Sequence, residues 1–129
     1  MALVETNKML LLGYAAIDGD HAEFIDLLNQ LDTAGPVEFA ALFQQLYEHT
    51  EHHFSRENQL MAEHGFPALT EHQGEHQRVL AEFKQFKSRV DKGLIAFGQS
   101  FVRERLPQWF ALHTSTMDAA LAAFIKMQR

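Results

Sequence analysis

The sequence predicts an all-α protein: an up-down-up-down four-helix bundle with an irregular N-terminal arm and a break or short extra helix at the C-terminus. Apolar residues recur at steps of three and four along most of the chain, and no stretch alternates with a period of two. Glycine and proline clusters divide the chain into four such segments. Because the connections between them are short, consecutive helices should lie antiparallel.

The first two helices follow an arm that should cover about residues 1–17. The first helix carries its inward residues between Ile17 and Leu31 and ends at a Gly-Pro turn. The second helix should begin near Pro36, because proline suits the first turn of a helix, and it should end at Gly65. These limits give two helices of different length joined by a tight turn.

The third helix should begin with Thr70 as its N-cap, since a glutamine three residues later completes a capping-box pattern. Its inward stripe continues to Val90. Gly93 and Gly98 should bracket the next turn, and the fourth segment should run from Ser100 to the C-terminus.

The fourth segment conflicts with a straight helix at two places. Pro107 removes a backbone hydrogen bond, which predicts a kink. His113 and Asp118 are five residues apart, roughly 140° around an ideal helix, so both can face one site only if the backbone breaks or forms a π-bulge. Ser115 could alternatively cap a short terminal helix.

Composition limits the classes of protein to consider. The 129 residues suit one domain, residues 1–129, with enough chain for a hydrophobic core. The formal net charge is −6 without any cluster of Lys or Arg, which argues against nucleic-acid binding. The absence of cysteine excludes disulfide scaffolds, thiolate zinc sites and iron–sulfur clusters.

An apolar run at residues 9–12 is too short to span a bilayer, so no membrane association is expected. It could serve as the hydrophobic region of a signal peptide, but it continues directly into His21, and processing there would remove or expose part of the candidate site described next. We therefore expect a cytoplasmic protein, and we expect it to be a monomer.

Histidines and carboxylates at metal-ligand spacings are the most informative feature of the chain. Two pairs have i, i+4 spacing, which places both side chains on one face of a helix about 5–6 Å apart at Cβ. Five of the 8 histidines belong to this pattern, and a buried group of this kind without metal would leave costly unpaired polar atoms. The candidate metal ligands are His21, His53, Glu57, His72, His76, His113 and Asp118.

These motifs resemble those of the hemerythrin-like domain family, in particular its single-domain bacterial members. The resemblance covers about residues 12–122 and rests on four stretches together. They are Ile17-Asp18-x-x-His21, His53-Phe54-x-x-Glu57, Leu60-Met61-x3-Gly65-Phe66-Pro67-x4-His72-x3-His76 and Trp109-Phe110-x-x-His113-x4-Asp118.

The resemblance implies a non-haem di-iron centre that binds O2 reversibly, in a binding protein rather than an enzyme. It implies that one iron is held by three histidines, namely His72, His76 and His113. The other iron is held by two, namely His21 and His53. The two carboxylates, Glu57 and Asp118, bridge the two irons.

Counting coordination positions supports the same arrangement. Five histidines, two bridging carboxylates and one bridging oxo or hydroxo oxygen fill eleven of the twelve positions of two octahedral ions. The remaining position belongs to the ion with two histidines, and an open position on a redox metal in a dry core can bind a small ligand. Imidazole suits iron, zinc, copper and nickel alike, so the choice of iron rests on the resemblance.

Aromatic residues near the histidines should form the walls of the O2 pocket. Phe24 follows His21 by about one turn, and Phe110 precedes His113 by about one turn, so both can lie over the open position. Trp109 is their neighbour and a further candidate wall. The remaining Phe and Leu stripes are core packing.

The sequence departs from the common family pattern at four positions, although no ligand is lost. Asn58 stands where a second glutamate often follows the ligand glutamate. Thr114 replaces an aliphatic residue, Phe110 stands at a position that is often leucine, and Pro107 is unusual. The family pattern therefore does not determine the size of the pocket or the kinetics of O2 binding in this chain.

The other three histidines have simpler interpretations. His52 should be solvated, because it precedes His53 by about 100° of rotation. His49 faces the same side as His53 and should be a core residue or a residue that orients a ligand. His64 should contact carbonyl groups at the end of its helix.

Other functions fit parts of the same pattern. His72-Gln-Gly-Glu75-His76 matches the short pattern of inverted zinc metallopeptidases, with Glu75 as the base, but this leaves four candidate ligands unexplained. A di-iron oxidase, an NO-handling protein or an iron store on the same bundle is a stronger alternative. Ferritin-like oxidases and iron stores, however, use carboxylate-rich sites with Glu-x-x-His motifs that this chain lacks. A sensor or interaction module is a third class.

Overall fold

Four antiparallel helices form an up-down-up-down bundle in the computed structural model, which describes residues 11–128. The predicted all-α class is confirmed, and no strand occurs among these residues. None of the described helices is both long and apolar enough to cross a membrane. The helices are α1, Ala15–Thr33; α2, Pro36–His64; α3, Leu69–Asp91; and α4, residues 95–127.

Helix α1 begins at Ala15, two residues before the predicted end of the arm. The side chain of Asp18 accepts hydrogen bonds from the backbone N–H groups of Leu12 (2.9 Å) and Gly13 (3.1 Å). These bonds hold the preceding segment against the first turn, so the helix can start early. The rest of the predicted arm, residues 1–10, lies outside the described residues.

Helix α2 has the predicted limits. Pro36 occupies its first turn, and Gly65 follows its last residue in the left-handed conformation (φ 64°, ψ 41°). The Phe66 N–H donates to the Met61 carbonyl at 2.9 Å, which satisfies one of the carbonyl groups at the helix end. Glycine adopts this backbone conformation at little cost, so the α2–α3 turn is sharp.

Helix α3 begins two residues earlier than predicted, with Ala68 rather than Thr70 as its N-cap. The helix starts at Leu69 because loop carbonyls take the first amide protons: Leu69 N–H donates to Phe66 at 3.2 Å, and His72 N–H donates to Ala68 at 3.0 Å. Backbone groups of the loop thus replace the expected side-chain cap.

Helix α4 begins at residue 95 rather than at Ser100, so Gly98 lies inside the helix and not in the turn. A Cβ atom on Gly98 would lie 2.5 Å from Val90 Cγ2 and 2.7 Å from Phe39 Cε1. Glycine at this position therefore allows the close approach of α4 to both α2 and α3.

Two π-helical segments interrupt α4 where the sequence conflicts with a straight helix. Phe101–Arg105 directly precedes the turn that contains Pro107, and Thr114–Asp118 follows His113. The residues flanking the second segment keep right-handed helical angles, so the helix widens without breaking. Ser115 is consequently not the cap of a separate terminal helix; its hydroxyl donates to the Leu112 carbonyl at 3.2 Å.

The apolar core consists of two clusters separated by a polar layer. The larger cluster joins the C-terminal half of α1, the N-terminal half of α2, the C-terminal half of α3 and the N-terminal half of α4. The smaller one joins the opposite ends of α1, α2 and α4 with Leu12 and Phe66. On each helix, the buried histidines and carboxylates lie between these two regions.

Candidate metal centre

All seven candidate ligands meet in the polar layer, and none has more than 4% of its surface exposed. The i, i+4 pairs project inward from α2 and α3 as their spacing predicts. In order, α1 contributes His21, α2 contributes His53 and Glu57, α3 contributes His72 and His76, and α4 contributes His113 and Asp118.

The two oxygens of Glu57 face different histidines. Oε2 lies 2.7 Å from His53 Nε2 and 3.9 Å from His21 Nε2. Oε1 lies 3.2 Å from His76 Nε2 and 3.4 Å from His72 Nε2. The carboxylate therefore stands between a pair of histidines and a second group on the other side.

Asp118 divides its oxygens in the same way. Oδ2 lies 2.8 Å from His21 Nε2, whereas Oδ1 lies 3.1 Å from His72 Nε2 and 3.2 Å from His113 Nε2. Both carboxylates thus separate the same two groups of imidazoles.

The arrangement gives two overlapping groups of ligand atoms. Within each group, one atom of every member lies within 4.8 Å of one atom of all the others. Both groups contain Glu57 and Asp118. One adds His72, His76 and His113, and the other adds His21 and His53.

The second π segment accounts for the position of Asp118. Five residues of a regular α-helix would leave Asp118 roughly 140° away from His113. The wider Thr114–Asp118 turn instead brings Asp118 Oδ1 to 3.2 Å from His113 Nε2. Such segments are common at functional sites, and here the local backbone completes the group of ligands.

The carboxylates are ionised at neutral pH although they are buried. Burial raises the pKa of Glu57, but the hydrogen bond from His53 and the imidazoles of His72 and His76 beside its other oxygen outweigh this effect and hold that pKa well below its ordinary value. Two carboxylate charges therefore lie in a dry interior, where a bound cation would offset them.

His72 offsets part of this charge when no metal is bound. Burial lowers the pKa of His72, but the nearby carboxylates of Asp118 and Glu57 raise it to about 9. Burial likewise raises the pKa of Asp118, but the imidazoles of His113 and His72 beside one oxygen and the hydrogen bond from His21 to the other hold it far below its ordinary value. The polar layer therefore has strong internal attraction between opposite charges.

Unpaired atoms show that the site suits a metal. Glu57 Oε1, Asp118 Oδ1 and His76 Nε2 are buried and have no hydrogen-bond partner of acceptable geometry, although other site atoms lie close to them. Leaving buried polar atoms unpaired is costly, and each of these three can donate a lone pair to a cation. A donor set of imidazoles and carboxylates fits divalent transition metals, so the residues present fit the ions that the sequence implied.

Comparison with known proteins agrees with this geometry. The family described as "Hemerythrin HHE cation binding domain" matches residues 12–125. This chain belongs to the hemerythrin family.

Proteins named bacteriohemerythrin are among its relatives. One from Ralstonia nicotianae is 37% identical over 125 residues, which cover 97% of this chain and 90% of the relative. One from Aquifex aeolicus is 32% identical, covering 93% of this chain and 95% of the relative. One from Stenotrophomonas maltophilia is 28% identical, covering 98% and 84%.

In this hemerythrin-family chain, two of the three predicted pocket walls lie beside His21. The ring of Phe110 meets that of His21 edge-on at 5.2 Å between centroids, and Phe24 stacks on Phe110 at 4.7 Å. Trp109 instead stacks on His113 at 4.7 Å. The indole therefore lies beside the group of three histidines, and its role in an O2 pocket stays a prediction.

Two residues that contact the centre were not predicted from the sequence. Asn58 Oδ1 lies 2.9 Å from His76 Nδ1, and the ring of Phe54 stacks on that of His76 at 3.9 Å with an angle of 5°. Asn58 and His76 lie about equally far from the α2–α3 turn, on opposite sides of it. The pairing of antiparallel helices could therefore have indicated the Asn58 contact.

Glu75 has structural partners rather than a place in the centre. Its carboxylate accepts two hydrogen bonds from Arg78, at 2.8 and 2.9 Å, and one from Trp109 Nε1 at 2.9 Å. The side chain is half-buried. These contacts fix the indole that covers His113, which explains the glutamate without peptidase chemistry.

The remaining histidines also have partners outside the centre. His49 Nε2 lies 3.0 Å from the Asp20 carbonyl and its Nδ1 lies 2.8 Å from Glu23, while its ring stands 6.0 Å from that of His53. It packs beside a candidate ligand, as its helix position predicted. His52 is exposed as predicted, and His64 bonds the side chain of Gln128 rather than a terminal carbonyl.

Proposed function

We propose that this protein holds two iron ions in the polar layer and binds O2 reversibly at one of them. The observation that carries this proposal is the sharing of Glu57 and Asp118 between two groups of buried candidate ligands. Membership of the hemerythrin family and the relatives named bacteriohemerythrin support iron as the metal and O2 as the ligand.

The distances around the carboxylates suggest the role of each residue. His72, His76 and His113 would hold one ion, and His21 and His53 would hold the other. Glu57 and Asp118 would bridge the ions, because each directs one oxygen toward each group. With a bridging oxygen between the ions, the unequal number of histidines would leave one coordination position open on the ion with two. Ferrous iron bound there would supply the electrons and the Lewis acidity that reversible O2 binding requires.

The protein around the ions excludes water and fixes the imidazoles. Phe24 and Phe110 cover the His21 side, and Trp109 and Phe54 cover the side with three histidines. A dry, apolar surrounding slows the delivery of protons to a bound ligand and so protects reversible binding. The polar layer would supply fixed ligands, and the aromatic residues around it would keep water away from them.

The donor set argues for a carrier, store or sensor of O2 rather than an enzyme or an iron store. Five neutral imidazoles and two carboxylates would favour the ferrous state more than a carboxylate-rich site does, and together with a bridging oxygen they would leave one open position for a small ligand. Hemerythrin-family proteins are generally oxygen carriers or sensors, which agrees with this assignment. The cytoplasmic location and the monomeric state stay predictions from the sequence.

Metal analysis and spectroscopy test the proposal directly. Protein purified from iron-replete cells should contain about two Fe per chain. Its ultraviolet–visible spectrum should change when the reduced protein is exposed to air, and the change should reverse when O2 is removed. A single tightly held zinc, with no uptake of iron, would defeat the proposal.

A substitution at a proposed bridge tests the shared carboxylates. Asp118→Ala should lose metal or keep a single iron, because both ions lose one ligand at once. Asp91→Ala is a suitable control, since Asp91 is exposed and its carboxylate bonds only the surface residue Lys87 among the contacts described. Two irons and an unchanged O2 spectrum in Asp118→Ala would show that Asp118 is not a ligand.

A further inference from the structure

One buried hydroxyl lacks a hydrogen-bond partner, as do atoms of the candidate ligands. Eight buried side-chain atoms among the described residues lack a hydrogen-bond partner, and seven of them belong to the seven candidate ligands. The eighth is Thr114 Oγ1, in a residue with 2% of its surface exposed. A buried hydroxyl without a partner is costly, so this atom calls for an explanation.

Hydroxyl groups on these helices normally bond to a carbonyl one turn earlier. Thr50 Oγ1 donates to the Leu46 carbonyl at 2.7 Å, and Thr116 Oγ1 donates to the Leu112 carbonyl at 2.7 Å. Thr114 has no such bond, although the same helix would offer one. Its hydroxyl therefore remains available for a partner that is not part of the chain.

The position of Thr114 indicates which half of the centre it serves. Phe110, Thr114 and Asp118 follow one another along the buried side of α4, four residues apart. Phe110 contacts the His21 ring at 5.2 Å, and Asp118 Oδ2 lies 2.8 Å from His21 Nε2. Because Phe110, one turn before Thr114, packs on His21, the helix position puts Thr114 on the His21 side, while Asp118, four residues later, contacts both groups.

We propose that the Thr114 hydroxyl donates a hydrogen bond to a small ligand at the open position of that ion. The site would then select small anions and other ligands whose bound atoms accept a hydrogen bond, because such bonds are strongest when the acceptor is charged. This inference rests on the proposed function and names the feature by which this chain selects its ligand.

Azide is the probe that tests the inference. It should be titrated into oxidised, iron-loaded protein, with binding followed by absorbance. Thr114→Val keeps the shape of the side chain but removes the donor, and it should weaken azide binding by about tenfold, the equivalent of about 1.4 kcal/mol. Thr114→Ser keeps the donor and should bind within about twofold of the wild type. Thr116→Val should bind like the wild type, because Thr116 lies in the same π segment but is exposed.

Thermal unfolding of the iron-loaded protein without azide gives a second measurement that does not depend on ligand binding. Thr114→Val should unfold at the wild-type temperature or above, since it removes an unpaired hydroxyl. Thr50→Val should unfold at a lower temperature, because it breaks a buried hydrogen bond. A lower unfolding temperature for Thr114→Val, similar to that of Thr50→Val, would show that the hydroxyl is paired within the protein and would overturn the inference.

The outcomes separate this inference from the proposed function. If the wild type takes up no iron or gives no spectral change with O2 and azide, the proposed function fails, and the inference fails with it. If wild type and Thr114→Val both hold two irons and bind azide equally well, only the inference fails. Should Thr114→Val lose iron, Thr114→Ala takes its place, and equal azide binding by the Ala and Ser variants would also overturn the inference.

Discussion

Asn58 Oδ1 accepts a hydrogen bond from His76 Nδ1–H at 2.9 Å, and this bond directs His76 Nε2 toward Glu57. With its proton on Nδ1, the imidazole has a free lone pair on Nε2, which lies 3.2 Å from Glu57 Oε1. In the part of the chain that the structure describes, the Nδ1 atoms of the four other candidate ligand histidines have no hydrogen-bond partner. His76 is thus the one whose tautomer is fixed by a neighbouring side chain.

Asn58→Ala should weaken metal retention without abolishing it. Loss of a residue that orients a ligand typically costs about 10–100-fold in metal affinity. The measurement is the rate at which a chelator removes iron from the loaded protein. Gln59→Ala is the control, because Gln59 is the next residue on the helix but is exposed and bonds Glu63. Equal rates in both variants would show that the Asn58 contact has no role in holding metal.

Phe110→Ala should admit water to the His21 side and speed autoxidation, while metal content stays the same. The substitution should also cost about 3–5 kcal/mol of stability, so rates must be measured well below the melting temperature. Phe43→Ala provides the control: Phe43 is fully buried and packs against Phe39 and Phe83, away from the polar layer. If Phe110→Ala and the wild type autoxidise at the same rate and each holds two irons, Phe110 does not line the pocket.

A surface ion pair should make stability depend on pH. Glu82 accepts hydrogen bonds from Arg105, one of them at 2.8 Å, and these hold its pKa below the ordinary value of 4.5. A lowered carboxyl pKa contributes stability above about pH 4.5, and this contribution is lost as the pH falls further. Glu82→Gln should therefore destabilise the protein by about 0.2–1 kcal/mol at pH 7, and the difference should shrink in acid.

The urea midpoints of Glu82→Gln and wild type, measured between pH 7 and pH 3, check this prediction. The double variant with Arg105→Gln should show little further loss, because the two residues act as one pair. A difference between Glu82→Gln and wild type that stays constant down to pH 3 would count against the ion pair as its source.

Two glycines within helices should respond in opposite ways to alanine. Gly98→Ala forces a methyl group against Val90 and Phe39 and should destabilise the protein by about 1–3 kcal/mol. Gly74 lies in α3, and a Cβ atom added there would meet no atom within 4 Å, so Gly74→Ala should stabilise the protein by about 0.5–1 kcal/mol. Chemical denaturation measures both, and destabilisation by Gly74→Ala would contradict the helix-propensity argument.

The sequence predicted the helices better than it predicted their ends. Apolar spacing identified all four segments, because burial of one face determines most of a helix in a bundle. Thr70 and Ser115 both match capping patterns, yet neither is a cap. In the first case loop carbonyls bond the free amide groups, and in the second the helix simply continues. Such competition between backbone and side-chain partners depends on tertiary structure, so a pattern of residue types cannot decide it.

The candidate ligands followed from spacing, whereas their supporting contacts did not. His72 and His76 share a helix face by geometry alone, and the conflict between His113 and Asp118 correctly predicted an irregular helix. The bond between Asn58 and His76 joins two helices and depends on how they are aligned. Trp109 stands one helical turn before His113, so its stacking on that ring follows from spacing, whereas its hydrogen bond to Glu75 joins two helices and does not.

The widened turn after His113 also determines which changes of chain length the fourth helix can tolerate. If Ser115 or Thr116, both exposed, were deleted, the turn could close into a regular α-helix. Asp118 would then stand four positions after His113, about 40° around the axis, and would still point inward. A one-residue insertion would instead rotate Asp118 a further 100° or so away from the interior. Natural relatives that differ in length between His113 and Asp118 should therefore have fewer residues there, and not more.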